Sequence, residues 1–123
     1  VSAQTQEKEL QVGRIVIACY KPKPGQDAAL KALIAGHVAT LRSIELVTDR
    51  QPITMEASDG TIIEVFEWKS SDAIHAAHNH PAVLGMWEEY GKVCDYIPLA
   101  QVGEAAQLFS EFTPFDPTPQ REG

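Results

Sequence analysis

Residues 58–69 read Ser58-Asp59-Gly60-Thr61-Ile62-Ile63-Glu64-Val65-Phe66-Glu67-Trp68-Lys69. Asp-Gly between two apolar runs is a strong short-range signal for a β-hairpin tip, because glycine accepts a positive φ that a Cβ would oppose. The run after it is β-branched and aromatic. Its alternating sets, Ile62, Glu64, Phe66 and Trp68 against Ile63, Val65 and Glu67, are each apolar apart from one carboxylate. A strand apolar on both sides is covered on both sides. The shorter run Ile53 to Ala57 supplies the other arm of the hairpin.

Working outward, residues 12–20 form a second two-sided apolar strand, with Ile15 and Ile17 on one side and Val16 and Ala18 on the other. Lys21-Pro22-Lys23-Pro24-Gly25 stops it. Segment 26–46 is predicted helical, since Leu30, Leu33, Ile34, His37, Val38, Leu41 and Ile44 share one helical face while Lys31, Ala35, Ala39 and Arg42 fall opposite. Ser70-Ser71-Asp72 offers capping groups for the next helix. The apolar phase then shifts from Ile74, Ala77 and His78 to Val83, Met86, Trp87, Tyr90 and Cys94. Pro81 suits the first turn of a new helix, so two helical pieces with a bend at 79–81 are expected. Residues 96–102 read as a last strand and 104–112 as a short helix. The tail from Thr113 to Thr118-Pro119 reads as extended, and residues 1–11 as polar and frayed.

The order is β-α-β-β-α-β, a ferredoxin-like split arrangement of the α+β class: one antiparallel sheet with both helices on one face. The domain is expected over 12–103, with 104–123 as a C-terminal extension. Because strands 12–20 and 61–69 are apolar on both faces, the helix-free face would be a large exposed patch. A second copy of the sheet covers it economically, giving a homodimeric α+β barrel.

The chain has 123 residues, 44% of them apolar, and a net charge of −7. That is one domain with a core. Scattered single Lys and Arg residues on an acidic chain speak against nucleic acid and against an anionic membrane surface. No run approaches a membrane span, and residues 1–6 hold no apolar signal-like stretch, so cytoplasm is the default expectation. Cys19 and Cys94 read as two buried, reduced thiols. No phosphate loop, nucleophile elbow or dinucleotide fingerprint is present, and no cofactor is expected.

Chemistry is expected at few places. His75, His78 and His80 crowd one segment, and His75/His78 have helical ligand spacing, but no local carboxylate completes a metal set. His37 lies in the middle of an apolar helix stripe, either as a satisfied core residue or as a polar group lining a cavity. Glu64 is costly amid apolar neighbours unless paired, and a histidine is its natural partner; otherwise it is a solvated edge residue. The sharpest expectation places His37, His78 and Glu64 in one pocket between helices and sheet as the catalytic set. Phe66, Trp68 and Trp87 would then line it, or else simply pack in the core.

The runs from Asp59 to Ala73 and Ala77-His78-Asn79-His80-Pro81 resemble the antibiotic-biosynthesis-monooxygenase-like domains of the dimeric α+β barrel superfamily. In these, an aromatic-ended strand leads into a helix bearing an Ala-His pair shortly before a proline. The resemblance spans roughly residues 12–103. It implies the barrel fold and carries over His78 as pocket-lining. The superfamily holds cofactor-free oxygenases, haem-degrading enzymes, isomerases and proteins of no known activity. The haem-degrading pattern is not met, since its helical Trp falls near Ala77 and no Asn stands in the first strand. The implied function is a small dimeric barrel protein with a pocket for a small hydrophobic or aromatic molecule, acting as a cofactor-free monooxygenase-like or isomerase-like enzyme. The alternative is a non-catalytic ligand-binding or structural homodimer.

Overall fold

The computed structural model describes residues 12–117. The expected fraying of 1–11 and the tail at Thr118-Pro119 lie outside the described residues. Within them the elements run β1 (Arg14–Pro22), α1 (Asp27–Ser43), β2 (Ile53–Glu56), β3 (Ile62–Trp68), α2 (Ser71–Ala77), α3 (Pro81–Val93), β4 (Cys94–Ile97) and β5 (Thr113–Pro114). Two 3-10 turns, Leu99–Gln101 and Gly103–Ala106, join β4 to β5. The protein is α+β: three helices against an open five-stranded antiparallel sheet in the order β4-β1-β3-β2-β5, compatible with a ferredoxin-like fold. No helix among the described residues is long and apolar enough to cross a membrane.

The hairpin forms as the Asp-Gly signal implies. Gly60 adopts φ +92°, its N–H donates to Ala57 O at 3.0 Å, and Ala57 N–H donates to Thr61 O at 2.8 Å. Asp59 Oδ1 accepts from Thr61 N–H, and these backbone bonds hold its carboxyl below its usual range. The helix break is also as read. Ser70 Oγ accepts from Ala73 N–H to cap α2, and His80 Nδ1 accepts from Ala82 N–H to cap α3 with Pro81 in its first turn. The two pieces are thus separately initiated helices.

Other boundaries need correction. The first strand continues through Pro22, which pairs with Cys94, so Pro22 ends the ladder rather than preceding its end. The last strand is Cys94–Ile97, not 96–102, because Pro98 opens a 3-10 turn. Cys94 therefore begins a strand instead of closing a helix face; it and Cys19 are buried free thiols. The helix expected over 104–112 is only the turn Gly103–Ala106. α1 stops at Ser43 with Glu45 at φ 62°. Glu45 N–H donates to Arg42 O and Leu46 N–H to Leu41 O, the two bonds of a Schellman ending.

Alternation sorts the sheet into two faces. Val16, Ala18, Tyr20, Ile62, Phe66 and Trp68 meet the helices, where Leu30, Ile34, Val38, Leu41, Val83 and Tyr90 complete the core. On the other face Cys19 and Ile63 lie beneath Leu99, Val102, Ala105 and Phe112 from the C-terminal segment. Beyond that cover Ile15, Ile17 and Ile53 stay 58%, 48% and 57% exposed. In the C-terminal segment Phe112 and Phe115 pack against the core clusters, whereas Leu108 and Phe109 are 91% and 76% exposed in the single chain.

Candidate functional site

Glu64 occupies the middle of the central strand with Ala18 opposite it on β1 and Thr54 opposite it on β2. Two small neighbours leave space above the carboxylate, and α1 supplies what fills part of it. Helical spacing turns His37 inward one turn after Ile34. His37 Nδ1 lies 2.7 Å from Glu64 Oε1, and the Tyr20 hydroxyl donates to the same oxygen at 2.9 Å. Facing an ionised carboxylate, which can only accept, Nδ1 carries the hydrogen, as it does in the Nδ1–H tautomer and in the imidazolium. Glu64 is 1% exposed and His37 3%. A buried carboxylate is tolerated only when donors replace its water, and two buried donors converge on one oxygen here. Among the described residues no hydrogen bond reaches Oε2.

An aromatic shell surrounds the pair. The His37 ring meets Phe66 and Tyr90 edge-on at 5.3 and 5.4 Å between centroids. Tyr20 stacks on Tyr90 at 5.2 Å and meets Tyr96 edge-on at 5.6 Å. Burial pushes the Tyr20 phenol well above its ordinary pKa, and the adjacent Glu64 carboxylate adds to the shift, so Tyr20 remains a proton donor. Tyr90 is raised for the same two reasons, and among the described residues its buried hydroxyl has no hydrogen-bond partner.

Glu64 also forms part of the wall of a cleft of about 490 Å³ between α1 and the β2 edge. Ile34 and Val38 line it from the helix, Pro52 and Ile53 from the loop and strand opposite. The C-terminal strap closes one side. β5 pairs with β2, Phe115 N–H donates to Thr54 O at 3.1 Å, and Thr54 Oγ1 donates to Phe115 O at 2.6 Å. These bonds set Phe115 at the cleft, with the Lys31 ammonium 5.2 Å above its ring and also paired with Glu56 at 3.0 Å. The volume falls within the range of small-molecule sites, and the lining is mixed, with Ile34, Val38 and Phe115 beside Arg42, Gln51 and Glu64.

The structure brings together two of the three residues expected to act jointly. His37 and Glu64 are in contact; His78 is not with them. Its ring is exposed, donates from Nδ1 to Ile74 O at 2.8 Å and lies edge-on to Trp87. α2 is only two turns long, and its inward position is filled by Ala77, which leaves the following His78 at the bend. Phe66 and Trp68 are buried in the core, with Trp87 half-buried beside it, and none of the three lines the cleft. Among the described residues no group of three His, Cys, Asp or Glu side chains converges to hold a metal ion.

Several contributors escaped the sequence reading. Ala35, Ala39 and Arg42, assigned there to the outward face of α1, line the cleft. Two alanines in place of long polar side chains on that flank were the available signal. Tyr20 was read only as the end of a strand. Its role follows from register, since it lies opposite Ile62, one pleat from Glu64. Phe115 could be placed only by the strap's own hydrogen bonds. Compared with protein-family models, curated proteins and solved structures, the chain matches none.

Proposed function

We propose that this protein binds a small hydrophobic or aromatic molecule in the cleft between α1 and β2, and that Glu64, backed by His37, accepts a proton from it. The observation that carries this reading is one residue in two settings. Glu64 is fixed from behind by Tyr20 and His37 and forms part of the cleft wall in front. A carboxylate held in place at the wall of a cleft of mixed apolar and polar lining is equipped to take a proton from a phenol, an enol or an acidic C–H. His37 and Tyr20 orient it and, as donors to Oε1, stabilise its ionised, proton-accepting form. Proton abstraction of this kind opens both isomerisation and cofactor-free oxygenation, the reaction classes implied by the likeness to antibiotic-biosynthesis-monooxygenase-like domains. The strand order and the bend before Pro81 support the ferredoxin-like assignment on which that likeness rests. The exposed Ile15, Ile17 and Ile53 on the helix-free face support a homodimer built sheet to sheet.

2-Naphthol tests the reading, because its fluorescence shifts when the excited molecule loses its proton to a nearby acceptor. The wild-type protein should bind it and show naphtholate emission from the bound state. Glu64→Gln should retain the fold by circular dichroism, weaken binding about tenfold, equivalent to about 1.4 kcal/mol, and abolish the naphtholate band. Absence of binding to the wild type, or an unchanged band in Glu64→Gln, overturns it. Binding without turnover of any enolisable substrate would make the protein a carrier rather than an enzyme.

A further inference from the structure

The cleft has two poles of opposite charge. Glu64 lies at its buried wall, and Arg42, 36% exposed in its side chain, lies at the α1 end of the lining. Arg42 is not a loose surface side chain. Its Nε donates to Thr48 O at 3.2 Å and its Nη2 to Arg50 O at 3.3 Å. That loop is itself anchored, since Thr48 Oγ1 and Arg50 Nε both donate to Glu67 Oε1. Two neutral carbonyls therefore orient the guanidinium without cancelling its charge. Its carboxylate neighbour, Asp49, lies 3.7 Å from Nε but is wholly exposed, so water screens that attraction. A guanidinium has five N–H donors, of which these carbonyls use two. Gln51 adds an amide beside it, and Asp116, which has an interaction of its own, also lies along the lining.

Resting on the reading of this cleft as a ligand site, we infer that its ligand is a flat aromatic or enolic acid, with a hydroxyl that meets Glu64 and a carboxylate that meets Arg42. Ile34, Val38 and Phe115 cover the apolar body between the two ends. A carboxylate is repelled from Glu64 and matched by the planar fork of Arg42, so the molecule binds in one orientation only. That orientation delivers the hydroxyl, not the acid group, to the proton acceptor. Arg42 is thus a specificity-determining residue as well as an anchor of the 48–50 loop.

Three probes on one ring system test this: 2-naphthol, 2-naphthoate and 6-hydroxy-2-naphthoate, titrated by calorimetry. The hydroxy acid should bind at least about tenfold more tightly than either single-ended probe. Arg42→Met should cost the hydroxy acid at least about fivefold more affinity than it costs 2-naphthol, erasing the advantage of the second end. Arg42→Lys, which keeps the charge but loses the fork, should retain part of the advantage, and it guards against loop disruption in the methionine variant. Equal binding of 2-naphthol and the hydroxy acid to the wild type overturns this inference while leaving the cleft a ligand site. An advantage that survives Arg42→Met also overturns it. Failure of all three probes to bind removes both readings together.

Discussion

Nδ1 of His37 and Oε1 of Glu64 are 2.7 Å apart, both side chains are buried at the wall of the cleft, and 27 residues of chain separate them. Neither side chain is tolerable there alone. Removing one partner leaves the other buried with an unmet hydrogen bond, and that deficit exceeds the net value of the bond itself.

The pair is therefore expected to be non-additive. Glu64→Ala should destabilise by about 3 kcal/mol and His37→Ala by about 2–3 kcal/mol. The double variant should lose at least about 1 kcal/mol less than the sum. Urea denaturation of the four proteins measures the cycle. Strict additivity would mean that the two side chains do not interact in solution.

The three tyrosines are all shifted toward higher pKa, Tyr96 least because it is 54% exposed. Burial pushes Tyr20 and Tyr90 upward and takes Tyr96 from 10.0 to about 12, while the buried Cys94 thiol rises from 9.0 to about 11. A raised pKa means that the unfolded chain releases its protons first, so these groups favour folding fully below about pH 9. The stability falls as the pH climbs through 9 and 10 toward the folded values. Absorbance at 295 nm should show no phenolate near pH 10 in the folded protein and a single step that coincides with unfolding. A tyrosine that titrates with an ordinary pKa before unfolding would contradict the packing around Glu64.

The end of α1 is under backbone strain that a single substitution relieves. Glu45 holds a left-handed φ of 62°, where a Cβ is unfavourable, at the Schellman position usually occupied by glycine. Glu45→Gly should stabilise the protein by about 0.5–1 kcal/mol, net of the extra freedom glycine gives the unfolded chain. A thermal midpoint that falls instead would place the helix end elsewhere.

The strap depends on a side-chain hydrogen bond. Thr54→Val keeps the shape of the residue and deletes the hydroxyl that donates to Phe115 O. A loss of about 0.5–1.5 kcal/mol is expected, with faster amide exchange at Phe115. Exchange at Phe115 unchanged from wild type would show that the strap is held by other contacts.

Self-association should run through the helix-free face. Light scattering should give a dimer for the wild type and a monomer for Ile17→Lys, since a lysine in the middle of the exposed isoleucines is costly to bury. A wild-type monomer at micromolar concentration would end the barrel reading.

Legibility in the sequence followed the range of the forces involved. Asp59-Gly60 fixed the hairpin, and the phase change at Pro81 revealed two helices, because both are decided by neighbours in the chain. The His37 partnership with Glu64 was legible for a different reason: each was the lone polar group on its apolar stripe. His78 was misplaced because a seven-residue helix tolerates no phase error. Arg42 and Phe115 stayed hidden, since the cleft they line exists only once β5 has paired with an edge strand, and a two-residue strand leaves no periodic trace.

The Tyr20 bond to Glu64 joins positions 44 residues apart, so it has a kinetic consequence. Contacts of such sequence separation form slowly, after shorter loops have closed. A collapsed chain in which β3 has met α1 but β1 has not yet arrived would hold Glu64 in apolar surroundings with one of its two donors missing. Such a species is penalised by the same desolvation that makes the finished site possible. Partial structures should therefore be sparsely populated, and Tyr20→Phe should hasten unfolding while scarcely slowing folding. The buried carboxylate thus also acts as a check that the sheet is complete before the cleft exists.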